Sequence, residues 1–352
     1  MIDKLEFKTY VSKRTSTFTI ATGSSDEEEN TIVKVVSGRD FGVGSANPSD
    51  VTKETRQSIE SFLARAQKKL LGTSEEEPDK LRQRLDAIEL GNTAAKAAVD
   101  IAVFDLLSKR DGKPLYEYLG GARDRMMTDM TIGIESKETT VQKAVKHVRS
   151  GFKALKIKVG LDLEEDIRRI VAVREAVGPG IQLRVDANQG YAVEKAIKFC
   201  EEMQTLDVVV VEQPVKAEDY AGLKRVRDSV DIPIMADECV KSVMDARKVA
   251  REGIADMINI KLMKSAGVFD AVMMNRLAAA ADMCTMVGCM GEIQVSIAAG
   301  LHFALSSENV LFADLDSHFN LIDDPSSGLE FEDGNLVAPR RPGIGISTPL
   351  DG

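Results

Sequence analysis

Histidine and cysteine are scarce in this sequence. Its three histidines, His147, His302 and His318, lie far apart, and none has a ligand-like partner at helical spacing. They leave little material for a zinc hydrolase or a Ser-His-Asp enzyme. The four cysteines, Cys200, Cys239, Cys284 and Cys289, show no CxxC spacing and read as free, buried thiols of a chain kept in a reducing compartment. Basic charge is not in excess either: 46 Lys and Arg stand against 56 Asp and Glu, a net charge of -10. Neither nucleic acid nor an anionic membrane is an expected partner, because phosphate recognition needs a basic face. No apolar run approaches the roughly 18 residues that a bilayer span needs. The opening Met1-Ile2-Asp3-Lys4-Leu5-Glu6 carries charge where a signal peptide is apolar, so a cytoplasmic location is expected.

What is present is a chain of 352 residues, more than one core usually organises unless it closes into a barrel with an appendage. The first 125 residues read as an α+β domain. Residues 17–20 and 31–36 are β-rich and predict hairpin arms joined by a long polar loop over 23–30. Helical patterns follow over 54–71, 78–90 and 92–109, the last behind an Asn92 cap. The acidic run Glu75-Glu76-Glu77 reads as a solvated turn. Leu119-Gly120-Gly121 then interrupts the pattern.

From Thr128 onward short apolar, β-branched runs recur, each followed by a helical pattern. They cover 131–134, 154–159, 183–186, 208–212, 234–237, 257–261, 285–289 and 310–314. Strand-helix alternation of this length predicts right-handed units closing into a TIM-like parallel barrel over 126–320. The tail, 321–352, is irregular and is expected to return to the N-terminal domain.

In such a barrel a charged residue closing an apolar strand points into the C-terminal mouth. Strand two ends in Lys156-Ile157-Lys158, strand three in Asp186-Ala187-Asn188, strand four in Glu212, strand five in Asp237-Glu238, strand six in Lys261 and strand eight in Asp314-Leu315-Asp316. Asp186, Glu212 and Asp237 would converge from neighbouring strands, and three carboxylates repel unless a cation lies among them. Oxygen-only ligation selects a hard ion, Mg²⁺. Lys156 and Lys158 share a strand face, and their mutual repulsion together with the metal would lower their pKa toward that of a neutral general base. Lys261 faces them from across the mouth. Bases on opposite sides of one carbon permit removal of a proton from one face and delivery to the other, which is epimerisation.

These motifs, with Val211-Glu212-Gln213-Pro214, Ala236-Asp237-Glu238 and Asn259-Ile260-Lys261-Leu262-Met263-Lys264, resemble those of the enolase superfamily, in its muconate-lactonising subgroup, over nearly the whole length. The resemblance implies an α+β capping domain over a (β/α)7β barrel, Mg²⁺ held by Asp186, Glu212 and Asp237, and Lys158 and Lys261 as acid/base pair. Lys156 would polarise a substrate carboxylate, and loss of the neighbouring α-proton would give an enediolate. Asp314-Leu315-Asp316 resembles the DxD signature of dipeptide epimerases, whose acids hold the ammonium of a dipeptide. Thr131, Cys289, Met290 and Gly291 align with stretches that line the dipeptide pocket; Glu292 beside them has no assigned role.

The expected activity is therefore inversion of the α-carbon of the C-terminal residue of an L,L-dipeptide. Alternatives are a cycloisomerase or o-succinylbenzoate synthase on the same scaffold, and a non-catalytic metal- or peptide-binding derivative. That last reading predicts loss of a lysine or ligand, and none is lost. A homo-oligomer is compatible with the sequence. Alanine-glutamate epimerases of the group can carry an Arg in the first hairpin loop; here that position is Gly23, followed by Asp26-Glu27-Glu28-Glu29. Acids facing the substrate would favour a cationic C-terminal side chain, whereas a solvated acidic tip would leave an apolar pocket.

Overall fold

The computed structural model describes residues 1–351. The chain opens with three antiparallel strands, β1 (Lys4–Ile20), β2 (Gly23–Ser37) and β3 (Asp40–Ala46). Helices α1 (Arg56–Leu70), α2 (Pro78–Asp86), α3 (Thr93–Arg110) and the short α4 (Leu115–Tyr118) follow. The polar segment expected as a loop is strand: Ile20 pairs with Gly23, Phe18 with Ser25 and Lys13 with Glu27, so only Ala21 and Thr22 make the turn. A projecting two-stranded ribbon has no apolar face to advertise it. Its polar side chains bond across the ribbon instead, as Arg14 does with Glu28 and Thr17 with Asp26, both at 2.5 Å.

Two further expectations fail because the partners are remote in sequence. Asn92 sits at φ +49° and makes no side-chain cap; the buried carboxylate of Glu54 accepts from Ala94 N at 2.9 Å and Ala95 N at 3.1 Å instead. Glu75 is buried, not solvated, and is paired to Arg110 at 2.5 Å and to the N-terminal amine at 3.0 Å. Burial raises its pKa, but Ser37 and Arg110 outweigh that and hold it at about 2.

After β4 (Arg125–Met127), eight parallel strands follow: β5 (Met130–Ile132), β6 (Ala154–Lys158), β7 (Gln182–Asp186), β8 (Val208–Glu212), β9 (Ile234–Ala236), β10 (Met257–Lys261), β11 (Cys284–Gly288) and β12 (Val310–Asp314). They lie in sequence order, and Asp129 N donates to Ala313 O at 3.3 Å to close the ring. Helices α5 (Lys137–Arg149), α6 (Leu163–Val177), α7 (Val193–Thr205), α8 (Tyr220–Ser229), α9 (Val243–Glu252), α10 (Leu262–Ser265) with α11 (Val268–Ala279), and α12 (Gln294–Leu305) fill the intervals between strands. This is the expected (β/α)7β barrel with its N-terminal α+β domain. The first barrel strand ends two residues earlier than its apolar run, because the Ile134 amide donates to Thr19 O at 2.8 Å, out of the barrel.

The tail forms β13 (Glu330–Glu332) and β14 (Asn335–Val337), which extends a small sheet onto β4. It then runs to the N-terminal layer, where Ile344 N donates to Asp105 at 2.8 Å. Beneath the barrel mouth lie a small apolar cluster of Val210, Met235, Met257 and Met286 and a buried Arg184–Asp129 ion pair at 2.8 Å. All four cysteines are free. Among the described residues no helix is long and apolar enough to cross a membrane.

The N-terminal layer depends on a close approach of β3 to α3. A Cβ on Gly44 would lie 2.1 Å from Ala98 O, and one on Gly42 would lie 1.9 Å from Ala102 O. The neighbouring atoms are helix backbone and cannot turn aside. Gly44→Ala should therefore destabilise the protein by about 3 kcal/mol, the upper end of overpacking costs, seen as a lower urea midpoint with unchanged slope.

Candidate active site

Strand register assembles the site. Lys158 on β6 is level with Asp186 on β7, which is level with Glu212 on β8. On the other side, Lys261 on β10 is level with Gly288 on β11 and Asp314 on β12. Asp237 follows directly after β9. Parallel strands of similar length thus deliver one ring of charge at their C-terminal ends, buried throughout.

Asp186, Glu212 and Asp237 each present an oxygen within 4.8 Å of the others. Lys156 Nζ lies among the acids, 2.6 Å from Glu212, 2.8 Å from Asp314 and 3.2 Å from Asp186. Lys158 Nζ stands 2.6 Å from Asp186 Oδ2, and Lys261 Nζ 2.9 Å from Asp237 Oδ2. The two lysines therefore flank the acids from opposite sides. At β12, Asp314 accepts from Thr131 Oγ1 at 3.1 Å and Asp316 from Thr131 N at 2.6 Å, while Cys289 Sγ lies 3.8 Å from Asp316. These residues are all brought into one cluster. Met290 and Gly291 lie at its edge, beneath the N-terminal domain.

Burial works to lower Lys156, but Asp314, Glu212 and Asp186 outweigh it and hold its ammonium well above the usual range. Lys261 is likewise raised, against burial, by Asp237 ahead of other acids. These carboxylates come from strands other than β6, and the expectation from sequence, which weighed the neighbouring ammonium, did not count them. Burial and then Asp186 push Glu212 up to about 8, and burial and then Asp314 push Asp316 up to about 6.

The residues fit a hard divalent ion. All three donors are carboxylates, and one buried oxygen, Glu212 Oε2, has no hydrogen-bond partner, since Lys156 Nζ at 2.6 Å is out of line. Its second oxygen is oriented by Asn259 Nδ2 at 2.7 Å. Lys264, buried, donates to Asp237 O at 2.6 Å, to Asn259 O at 3.1 Å and to the Asp237 carboxylate. Asn259 and Lys264 stood in a quoted motif without a role. Their signal was spacing: one strand repeat before Lys261, one helical turn after it.

Also missed was the contact from above. Asn47 Oδ1 accepts from Gly291 N at 3.0 Å and Asn30 Nδ2 donates to Gly291 O at 2.9 Å, gripping that residue by both backbone groups. A Cβ on Gly291 would fall 2.0 Å from Glu28 Oε2, so that side chain fills the space over Gly291. Glu28 is the acid of the run 26–29 that meets the barrel, and Arg14 neutralises it at 2.5 Å. Asp26 and Glu27 are exposed, and Glu29 lies 3.8 Å from Arg56. The run is neither a hairpin tip nor an acidic wall. Glu292, without a role from the sequence, accepts from Met290 N at 2.8 Å and shapes this turn.

Family models described as the mandelate racemase / muconate lactonizing enzyme N-terminal domain and as enolase C-terminal domain-like match residues 5–120 and 139–351. The chain belongs to the enolase superfamily. Among its superfamily relatives, the L-Ala-D/L-Glu epimerase of Clostridium acetobutylicum is 39% identical, with 94% of each chain covered. The hydrophobic dipeptide epimerase of Enterococcus faecalis is 38% identical, covering 95% of this chain and 96% of that one. The crystal structure of a dipeptide epimerase from E. faecalis V583 complexed with Mg and L-Leu-L-Tyr superposes with a TM-score of 0.96. It has 36% identity and covers 98% of this chain and 99% of that one.

Removing divalent cations should abolish turnover, and Mg²⁺ should restore it. By calorimetry, Glu212→Gln should lose measurable Mg²⁺ binding. Asn259→Leu, which only frees Glu212 to turn, should weaken binding by about 10-fold to 100-fold. Unchanged affinity in both variants would place the ion elsewhere.

Proposed function

We propose that the protein is a cytoplasmic Mg²⁺-dependent dipeptide epimerase, an isomerase that inverts the α-carbon of the C-terminal residue by two-lysine proton transfer. The observation that carries this reading is the placement of Lys158 and Lys261 on opposite sides of the three carboxylates, with the buried Asp314 and Asp316 pair beside them. The Mg and dipeptide in the E. faecalis complex support it.

In this reading Asp186, Glu212 and Asp237 hold the ion. Mg²⁺, when bound, supplies positive charge that offsets these acids and the charge developing on the substrate carboxylate as the α-proton leaves. Lys156 binds that carboxylate, and the substrate ammonium goes to Asp314 and Asp316. One lysine, as free amine, takes the α-proton; the other, as ammonium, returns a proton to the opposite face. The lysines exchange protonation states and the substrate gains and loses one proton, so the reverse reaction starts from the state that the forward one leaves. Thr131 orients both acids, and Cys289, Met290 and Gly291 line the adjoining wall. A cycloisomerase or succinylbenzoate synthase has no use for two buried acids beside the lysines.

Lys158→Ala and Lys261→Ala should each stop epimerisation, while each still exchanges the α-proton of one substrate epimer in D₂O. Mass spectrometry of the L,L and L,D dipeptides incubated separately reads this. Epimerisation at the wild-type rate in either variant would exclude the two-base mechanism.

The Arg14–Glu28 pair gives the roof over Gly291 no net charge, and an unpaired charge brought there by substrate would be costly. L-Ala-L-Phe should therefore exceed both L-Ala-L-Lys and L-Ala-L-Glu in kcat/KM. Glu28→Gln, which leaves Arg14 unopposed, should raise the relative kcat/KM for L-Ala-L-Glu by about tenfold. No change in the ratio would remove the pair from substrate choice.

A further inference from the structure

One buried ion pair is not explained by the chemistry above. Asp166 and Arg169 lie one turn apart on α6, 2% and 1% exposed, and neither reaches the acids of the barrel mouth. Arg169 Nη2 donates to the backbone carbonyl of Lys158 at 3.1 Å and also to Asp166. The other oxygen of Asp166 accepts from Gly160 N at 2.9 Å and from the Tyr191 hydroxyl at 2.7 Å.

The pair therefore grips the chain at Lys158 and again two residues later. Through Tyr191 it also grips the loop that follows Asp186. The two loops touch backbone to backbone: a Cβ on Gly190 would fall 2.2 Å from Gly160 O. Tyr191 N donates in turn to Pro214 O at 3.0 Å, just beyond Glu212. Stability alone is a poor reason for such a pair, because buried ion pairs are commonly no more stable than apolar residues of the same volume. Here Arg169 Nη1 is in addition buried without a partner. What the pair supplies is a fixed position for the end of β6.

We propose that Asp166 and Arg169 are positioning residues for Lys158, acting through the backbone of Lys158 and Gly160 without touching substrate. This rests on the two-lysine reading. It has a one-sided consequence: Lys261 is held from another direction, by Asp237, which Lys264 braces. Displacement confined to the end of β6, beyond Lys156, should impair the proton transfer done by Lys158 and spare that done by Lys261.

The test measures α-proton loss in D₂O from the L,L and the L,D dipeptide separately, with Lys158→Ala identifying which epimer depends on Lys158. If Lys158→Ala shows no one-sided loss, the two-lysine reading fails, and this proposal with it. Arg169→Met leaves a buried carboxylate unpaired and can fail to fold, so the double variant Asp166→Asn/Arg169→Met, uncharged and similar in volume, is the main probe. Tyr191→Phe is a milder second one. The double variant should lose about 100-fold in exchange of the Lys158-dependent epimer, the scale of an ångström of misplacement, and about twofold or less for the other. Tyr191→Phe should show the same asymmetry at smaller size. Equal losses for both epimers in a folded double variant, or no loss in either, would overturn the proposal.

Discussion

The structure depends on keeping like charges together in a place with little water. Asp186, Glu212 and Asp237 repel one another, and the barrel holds them within a few ångströms only because Lys156, Lys158, Lys261 and Lys264 are interleaved with them. The lysines offset the charge of the acids, and the acids in turn hold Lys156 and Lys261 charged. Lysines and acids thus form one electrostatic account, and in the proposed reading a divalent ion and a substrate carboxylate would enter it as charges of opposite sign.

The barrel makes this crowding possible by geometry. Parallel pairing keeps strand ends level, so a residue closing one strand faces the residue closing the next. The supports come from outside the ring. Asn259 sits one strand repeat below Lys261 and reaches Glu212 across β9. Lys264 comes from the helical turn after Lys261 and returns to Asp237. The charged side chains at the strand ends are therefore anchored by buried hydrogen bonds as well as by the strands that carry them.

Much of this was legible in sequence because a charged residue at the end of an apolar run has one direction to point once the runs are recognised as barrel strands. The gathering of Asp186, Glu212, Asp237, the lysines and the Asp314 and Asp316 pair in the barrel mouth followed from that argument. Other features stayed hidden for physical reasons. Residues 23–30 carry no alternation because a ribbon with polar residues on both faces can pair without one. Glu54 caps α3, and Glu75 is buried against Arg110, through contacts that span 40 and 35 residues, far beyond any local pattern. The expectation for Lys156 counted the neighbouring ammonium but not Asp314, Glu212 and Asp186, which reach it from other strands and hold it charged.

The acidic run of the hairpin shows most directly why composition is a poor guide to a binding surface. Four acids in a row suggest a negative wall, yet strand alternation sends neighbours to different surroundings, and only Glu28 meets the barrel. There it is bound to Arg14 and wedged over Gly291, whose peptide is gripped by Asn30 and Asn47. The N-terminal domain thus contributes a neutral, firmly seated roof, while the barrel contributes the buried cluster of charges. Relatives named for alanine-glutamate and for hydrophobic dipeptides are nearly equally similar to this chain, which fits a division of labour of this kind. A buried charge cluster constrains the barrel, and a few paired charges in the roof can be exchanged without disturbing it.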